Sequence, residues 1–207
     1  MTRTRVLLGC GVVGALLFIA VLLVNGVVKP GYDPARDFVS EGAIGRGGWL
    51  QIAGFVASGT LLTAFSFGLR RTTPRWTAWL VRTMALCLVG AGIFVSDPVP
   101  ADAATVPGIV HNVVSVVVFA ALAAATFTAI RWRPTRLWRW YCLLSGIGII
   151  VFFVAAGGAD PVAGTPGIFQ RLSIVTGWTW LAVLGLRAPR TEATTGRTAR
   201  TSTQPVT

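Results

Sequence analysis

At 207 residues, 54% apolar and only 12% charged, the chain has too few charged side chains to coat a soluble globule, and its composition is that of a membrane protein. The formal net charge of +11 would suit nucleic acid, but the basic residues sit in short segments beside long apolar runs. Positive-inside bias and anionic headgroups account for such residues, so no nucleic-acid partner is expected.

A hydrocarbon core of about 30 Å takes about 20 apolar residues per spanning helix. Six runs meet that length, at about 6–28, 49–69, 76–96, 107–130, 137–159 and 167–186, and they fill nearly all of a single transmembrane domain at 1–187. The expected fold class is all-α: a polytopic membrane protein with six transmembrane helices in an antiparallel bundle of three hairpins. With alternating spans, all 18 basic residues except Lys29, Arg36, Arg46 and Arg171 fall on one side, and every acid except Glu192 falls on the other. The arginine-rich side is then cytoplasmic, with both termini, and the membrane is the bacterial plasma membrane. Trp49, Trp76, Trp79, Trp132, Trp138 and Trp140 lie near predicted helix ends, as an interfacial aromatic belt requires.

The first run follows a positive start, yet it is longer than a signal core and has no small-x-small cleavage site, so it reads as a retained anchor. Lys29-Pro30-Gly31 stops it and opens a polar loop containing Tyr32, Asp33, Asp37, Ser40 and Glu41, and a glycine-rich stretch then leads into helix two with Gln51 just inside. The turn at residues 70–75 is short, making helices two and three antiparallel neighbours. Arg82, about two turns into helix three, is expected to snorkel to headgroups. Cys10, Cys87 and Cys142 each fall inside an apolar run and no Cys-x-x-Cys occurs, so no disulfide or thiolate metal site is expected.

Helices three to six contain an internal repeat. Ser96-Asp97-Pro98-Val99 leading to Pro107-Gly108-Ile109 and His111 parallels Ala159-Asp160-Pro161-Val162 leading to Pro166-Gly167-Ile168, Gln170 and Arg171. Proline suits the first helical turn, where its missing N–H has no partner to lose, and Thr165 is a candidate cap for the second copy. His111 and Gln170 each stand four residues past the proline, at matched depth and on the side of the first loop, with Gln51 a degenerate third member. Beyond residue 187 the threonine- and arginine-rich segment 188–207 has no apolar periodicity, and a disordered cytoplasmic tail is expected.

Pro30-Gly31-Tyr32-Asp33-Pro34 through Val39-Ser40-Glu41, Asp97-Pro98 with Gly108 and His111, and Gln170-Arg171, in that order, resemble the bacterial integral-membrane family known as domain of unknown function 998. The resemblance covers about residues 6–186 and implies six helices; it supplies no activity, because the family has none assigned. Gln170 stands where many relatives carry an acid before the arginine. At greater distance the chain is similar to DRAM- and Sfk-like six-helix membrane proteins.

The polar cluster admits three readings. In the structural one, Arg171 pairs with Glu41 or Asp160, His111 with Asp97 or Ser40, and the first loop plugs the bundle. In the binding one, a lipid headgroup or small envelope molecule sits among Tyr32, Asp33, Asp37, Gln51, Gln170 and Arg171, and the protein is a sensor or an accessory to a membrane-protein partner. In the catalytic one, Ser40, Glu41, Asp97, His111 and Asp160 act on a lipid or isoprenoid, with serine, histidine and aspartate as nucleophile, base and orienting acid, or with the carboxylates as proton donors and acceptors. Asp97 and Asp160 each follow a predicted helix C-terminus, where the macrodipole disfavours an anion, so each calls for a nearby cation such as Arg171 or His111. His111 is the only histidine, so a catalytic zinc site has too few ligands, and neither metal nor cofactor is expected.

Overall fold

Backbone polar groups in hydrocarbon must be satisfied within the segment that carries them, so long apolar runs become helices. The computed structural model describes residues 3–133, 135–160 and 164–188 and forms six of them: α1 Arg3–Val28, α2 Trp49–Leu69, α3 Arg75–Ile93, α4 Val106–Ala129, α5 Arg136–Gly158 and α6 Pro166–Arg187. A short 3-10 turn, Val39–Ala43, lies in the first loop, and no strand occurs among the described residues. Pro161 and Val162 of the second Asp-Pro copy, and the expected tail beyond Ala188, lie outside the described residues.

Helices α1 to α5 are each long and apolar enough to cross a membrane. α6 is less apolar because it carries Gln170, Arg171, Ser173, Thr176 and Thr179, but Gln170 and Ser173 are buried. Gln170 and Ser173 face its neighbours, while Thr179 is exposed.

Each helix packs on the next, and α6 returns to α1, so the six form a closed ring. Contacts at both ends make the neighbours antiparallel. Arg71 just past α2 donates to Thr4 at the start of α1, and Asn25 near the end of α1 donates to Gln51 at the start of α2. Thr77 bonds Thr128 between α3 and α4, and Ser173 donates to the Ile149 carbonyl between α6 and α5. Phe18 of α1 stacks on Trp178 of α6 at a centroid distance of 4.8 Å, closing the ring. The interior is filled by Leu8, Ala15, Phe18, Leu62, Phe65, Met84, Leu122, Ile149, Trp178 and Leu181. Lipid is as apolar as these side chains, so close fit holds the helices together. At Gly59 an added Cβ would stand 2.8 Å from the Ala85 carbonyl oxygen, which ties the approach of α2 and α3 to that glycine.

Trp49, Trp76, Trp79 and Trp140 are exposed at helix ends, in keeping with a belt. Trp138 is not part of it: it is fully buried, its Nε1–H donates to the Ala129 carbonyl at 2.8 Å, and its ring meets Trp132 edge-on. Arg82 lies over the Phe67 and Trp79 rings at 3.9 and 4.6 Å and donates to Ser66 Oγ.

Candidate functional site

The first loop, the 3-10 turn, the N-termini of α2, α4 and α6 and the C-termini of α1, α3 and α5 gather at one end of the ring. Asp33 and Asp37 shape the loop: Asp33 Oδ1 accepts from the Ala35 N–H at 2.9 Å, and Asp37 Oδ2 accepts from the Asp33 N–H at 2.7 Å. Arg36 lies 3.8 Å from Asp33, an exposed pair of little energetic weight. Held this way, the loop turns its carbonyls onto the start of α6, where the Gly167 and Ile168 N–H groups donate to Arg36 and Ala35 oxygens, each at 3.1 Å. These are the donors that a helix start leaves without intrahelical partners. The expected cap does not form, since the Thr165 side chain makes no capping bond.

Arg171 completes the junction. Its Nη1 donates to the Asp37 carbonyl at 2.9 Å and to the Gly167 carbonyl at 3.1 Å, and its Nη2 donates to the Tyr32 hydroxyl. The Tyr32 hydroxyl in turn donates to the Phe38 carbonyl at 3.1 Å, and burial holds its pKa above the usual phenol value against the opposing pull of Arg171. The expected pairing of Arg171 with Glu41 or Asp160 is therefore replaced by bonds to the loop backbone and Tyr32. Packed beside α6, the loop offers carbonyl oxygens nearer than either carboxylate. Asp160 is exposed after α5, and its carbonyl accepts from the Gly164 N–H.

Glu41 joins two loops. Its Oε2 accepts from the Phe38 N–H at 2.8 Å and its Oε1 from the Val99 N–H at 2.9 Å, linking the first loop to the α3–α4 connection. Burial raises its pKa, opposed by those two hydrogen bonds. Asp97 accepts from the Thr105 hydroxyl at 2.6 Å and the Thr105 N–H at 2.9 Å, while Thr105 Oγ1 caps α4 by accepting from Gly108 N–H. The Thr105 hydroxyl, then its N–H, hold the Asp97 carboxyl below the usual range. The expected need for a cation at Asp97 disappears because α3 ends at Ile93 and the carboxylate lies at the N-terminus of α4, the favourable end of a helix dipole.

His111 is buried, and its Nδ1 faces the Phe94 and Ala91 carbonyls at 2.7 and 3.1 Å. Two carbonyl acceptors assign a proton to Nδ1, so that in the neutral ring Nε2 is the acceptor. The expected bond to Asp97 or Ser40 is absent, because the end of α3 presents unpaired carbonyls to the same nitrogen. A Ser40–His111–Asp97 relay is thus not assembled. Gln170 is buried, and its Oε1 accepts from the Val39 N–H at 2.6 Å. Gln51 is fully buried but lies apart, accepting from Asn25 Nδ2 at 3.2 Å while Asn25 also reaches the Gly42 carbonyl.

Ser40, His111, Ser115 and Gln170 line two neighbouring spaces. One is a small cavity of about 20 Å³ walled by Phe18, Phe55, Phe119 and Trp178, room for about one water. The other is a cleft of about 530 Å³ that adds Ser96, Asp97, Asn112, Val116, Phe153, Val154 and Gly157, and so lies between α4 and α5. Among the expected residues, Ser40, Asp97, His111 and Gln170 meet there; Tyr32, Asp33, Asp37, Glu41 and Arg171 build the loop around it, and Gln51 sits with Asn25. Asn25, Ser96, Asn112 and Ser115 were not anticipated. Asn25 and Ser115 are lone polar residues in apolar runs, and that isolation is the signal by which they could have been found; Ser96 and Asn112 adjoin Asp97 and His111.

The family profile described as "Protein of unknown function (DUF998)" matches residues 12–187, in agreement with the spaced motifs of the first loop, Asp97-Pro98 and Gln170-Arg171. No curated protein and no solved structure matches the chain.

Proposed function

The chain belongs to the DUF998 family of proteins of unknown function, and from that premise we propose that it is a six-span membrane protein whose α4–α5 cleft binds an amphipathic molecule entering sideways from the bilayer. The observation that carries this reading is the cleft itself. About 530 Å³ is the size of a small-molecule site, and its lining combines polar Ser40, His111, Asn112 and Gln170 with apolar Val116, Phe153 and Val154. A molecule with a polar head and an apolar chain matches that mixed lining.

The arginines at the far end set the orientation: that end is cytoplasmic, and the first loop and cleft face outward from a bacterial plasma membrane. In this reading Tyr32, Asp33, Asp37, Glu41 and Arg171 hold the loop as the roof of the site, and Asp97 fixes its rim. The protein is a lipid-binding component of the envelope, a sensor or an accessory to a membrane enzyme.

Filling the cleft tests the proposal. A Cβ at Gly157 meets nothing within 4 Å, so Gly157→Trp puts an indole into open space. Wild type purified in mild detergent is expected to carry a small molecule or lipid visible by native mass spectrometry, and Gly157→Trp of equal thermal stability is expected to lose it. Identical bound species in both preparations would sink the reading.

A further inference from the structure

The cleft has hydrogen-bonding capacity that the protein does not use. The hydroxyls of Ser40 and Ser115 and the amide of Asn112 make no side-chain hydrogen bond among the described residues, and the Ser96 hydroxyl, in a residue only 9% exposed, is buried without a partner. Gln170 uses its carbonyl oxygen on Val39 and keeps two amide donors, and His111 uses Nδ1 and keeps Nε2 as an acceptor. Donors and acceptors therefore both face this space. All six residues are uncharged in this arrangement.

Cations are kept away from it. Among the described residues no lysine or arginine lines the cleft, whereas Asp97 does. None of the basic residues at this end is in its lining: Arg171 is held by the loop carbonyls and Tyr32 and Lys29 Nζ by the Ile44 carbonyl at 2.6 Å, while exposed Arg36 and Arg46 lie elsewhere on the loop. A phosphate diester would bring a fixed negative charge beside the Asp97 carboxylate with no lysine or arginine among the lining residues to offset it, and the phosphate has no proton with which to satisfy His111 Nε2. A hydroxyl both donates and accepts. Resting on the reading of the cleft as a binding site, we propose that its ligand is a lipid with an uncharged, hydroxyl-bearing headgroup, a polyol or glycosyl lipid, rather than a phospholipid.

The test uses the purified full chain, delipidated and incubated with an equimolar mixture of glucosyl-diacylglycerol and phosphatidylglycerol of the same acyl chains, with bound lipid read by native mass spectrometry. Leaving buried polar groups unpaired costs about 1–3 kcal/mol, so the glucosyl lipid is expected to be favoured about tenfold or more. Asn112→Leu and Ser115→Val, which remove polar groups without filling the space, are expected to bring the ratio towards one. Phosphatidylglycerol favoured in wild type and lost from Gly157→Trp would overturn the uncharged headgroup while leaving the cleft as a site. A glucosyl preference unchanged in Asn112→Leu and Ser115→Val would also overturn it, because the proposed groups would not be reading the head. Equal binding of the two lipids, lost from Gly157→Trp, would overturn the headgroup assignment alone, and binding unaffected by Gly157→Trp would overturn both that assignment and the binding reading beneath it.

Discussion

Arg171 is a cation whose acceptors are mostly backbone. Removing it leaves the Asp37 and Gly167 carbonyls and the Tyr32 hydroxyl without their donor in a half-buried junction. Hydrogen bonds to charged groups contribute about 1.5–3 kcal/mol, so Arg171→Ala is expected to lower stability in detergent by about 2–3 kcal/mol, read by thermal unfolding. Arg171→Lys should recover only part, because an ammonium lacks the planar fork that reaches loop and tyrosine together. A fully stable lysine variant would mean that charge alone suffices. At Glu41 the prediction concerns pH. Burial makes ionisation costlier in the folded protein, so the associated stability is present below the ordinary carboxylate pKa and is lost as pH rises through the raised value. Wild type should therefore lose ground relative to Glu41→Gln as pH rises from about 4 to 7. A gap moving the other way would show that the Phe38 and Val99 N–H bonds outweigh burial. Asp97 has the opposite sign: its contribution is present above the ordinary value and lost as pH falls through the depressed one. The depth of such residues was legible in the sequence, their partners were not. Helical rise places His111 and Gln170 near the loop, but rotation about the helix axis decides that His111 meets the end of α3 and that Trp138 points inward.

Helix α6 shows what tertiary context adds to an element. Its apolar run is short of charge at its far end and polar at its near end, and a span was readable from length. That its first turn is capped by another segment was not, because residues 35–37 and 166–168 are far apart in sequence and neither carries a capping signature toward the other. Gly167 records the contact. A Cβ there would stand 2.5 Å from the Asp37 oxygen and 2.7 Å from the Pro34 oxygen, both backbone atoms that cannot swing aside. Gly167→Ala is expected to push the loop off α6 and lower stability by about 1–3 kcal/mol, whereas Gly157→Ala, on a face with nothing in range, should be neutral or better. Limited proteolysis within residues 30–48 provides the readout. Equal cleavage of both variants would show that the loop does not depend on the Gly167 contact.

At the scale of the whole molecule, closure of the ring and the segregation of charge make one argument. An even number of antiparallel helices returns the chain to the end where it began, so Arg3 and Arg187 share an end with the turn at residues 70–75 and with residues 131–133, while Arg46 and the first loop lie at the other. Composition gave the apolar runs and their number, but α6, the least apolar of the six, makes its crossing the point to test. If the arginine-rich end is cytoplasmic, the two ends must differ in access from outside. With Cys10, Cys87 and Cys142 replaced by serine, a single cysteine at exposed Arg46 is expected to react with a membrane-impermeant maleimide in intact cells. One at exposed Arg131 should react only after the membrane is opened. A cysteine at Arg187, the last residue of α6, separates six spans from five: it should behave like the one at Arg131. Labelling of Arg187→Cys in intact cells would leave α6 on the outer side and remove the sixth span, and with it the lipid-facing cleft whose polar floor includes Gln170.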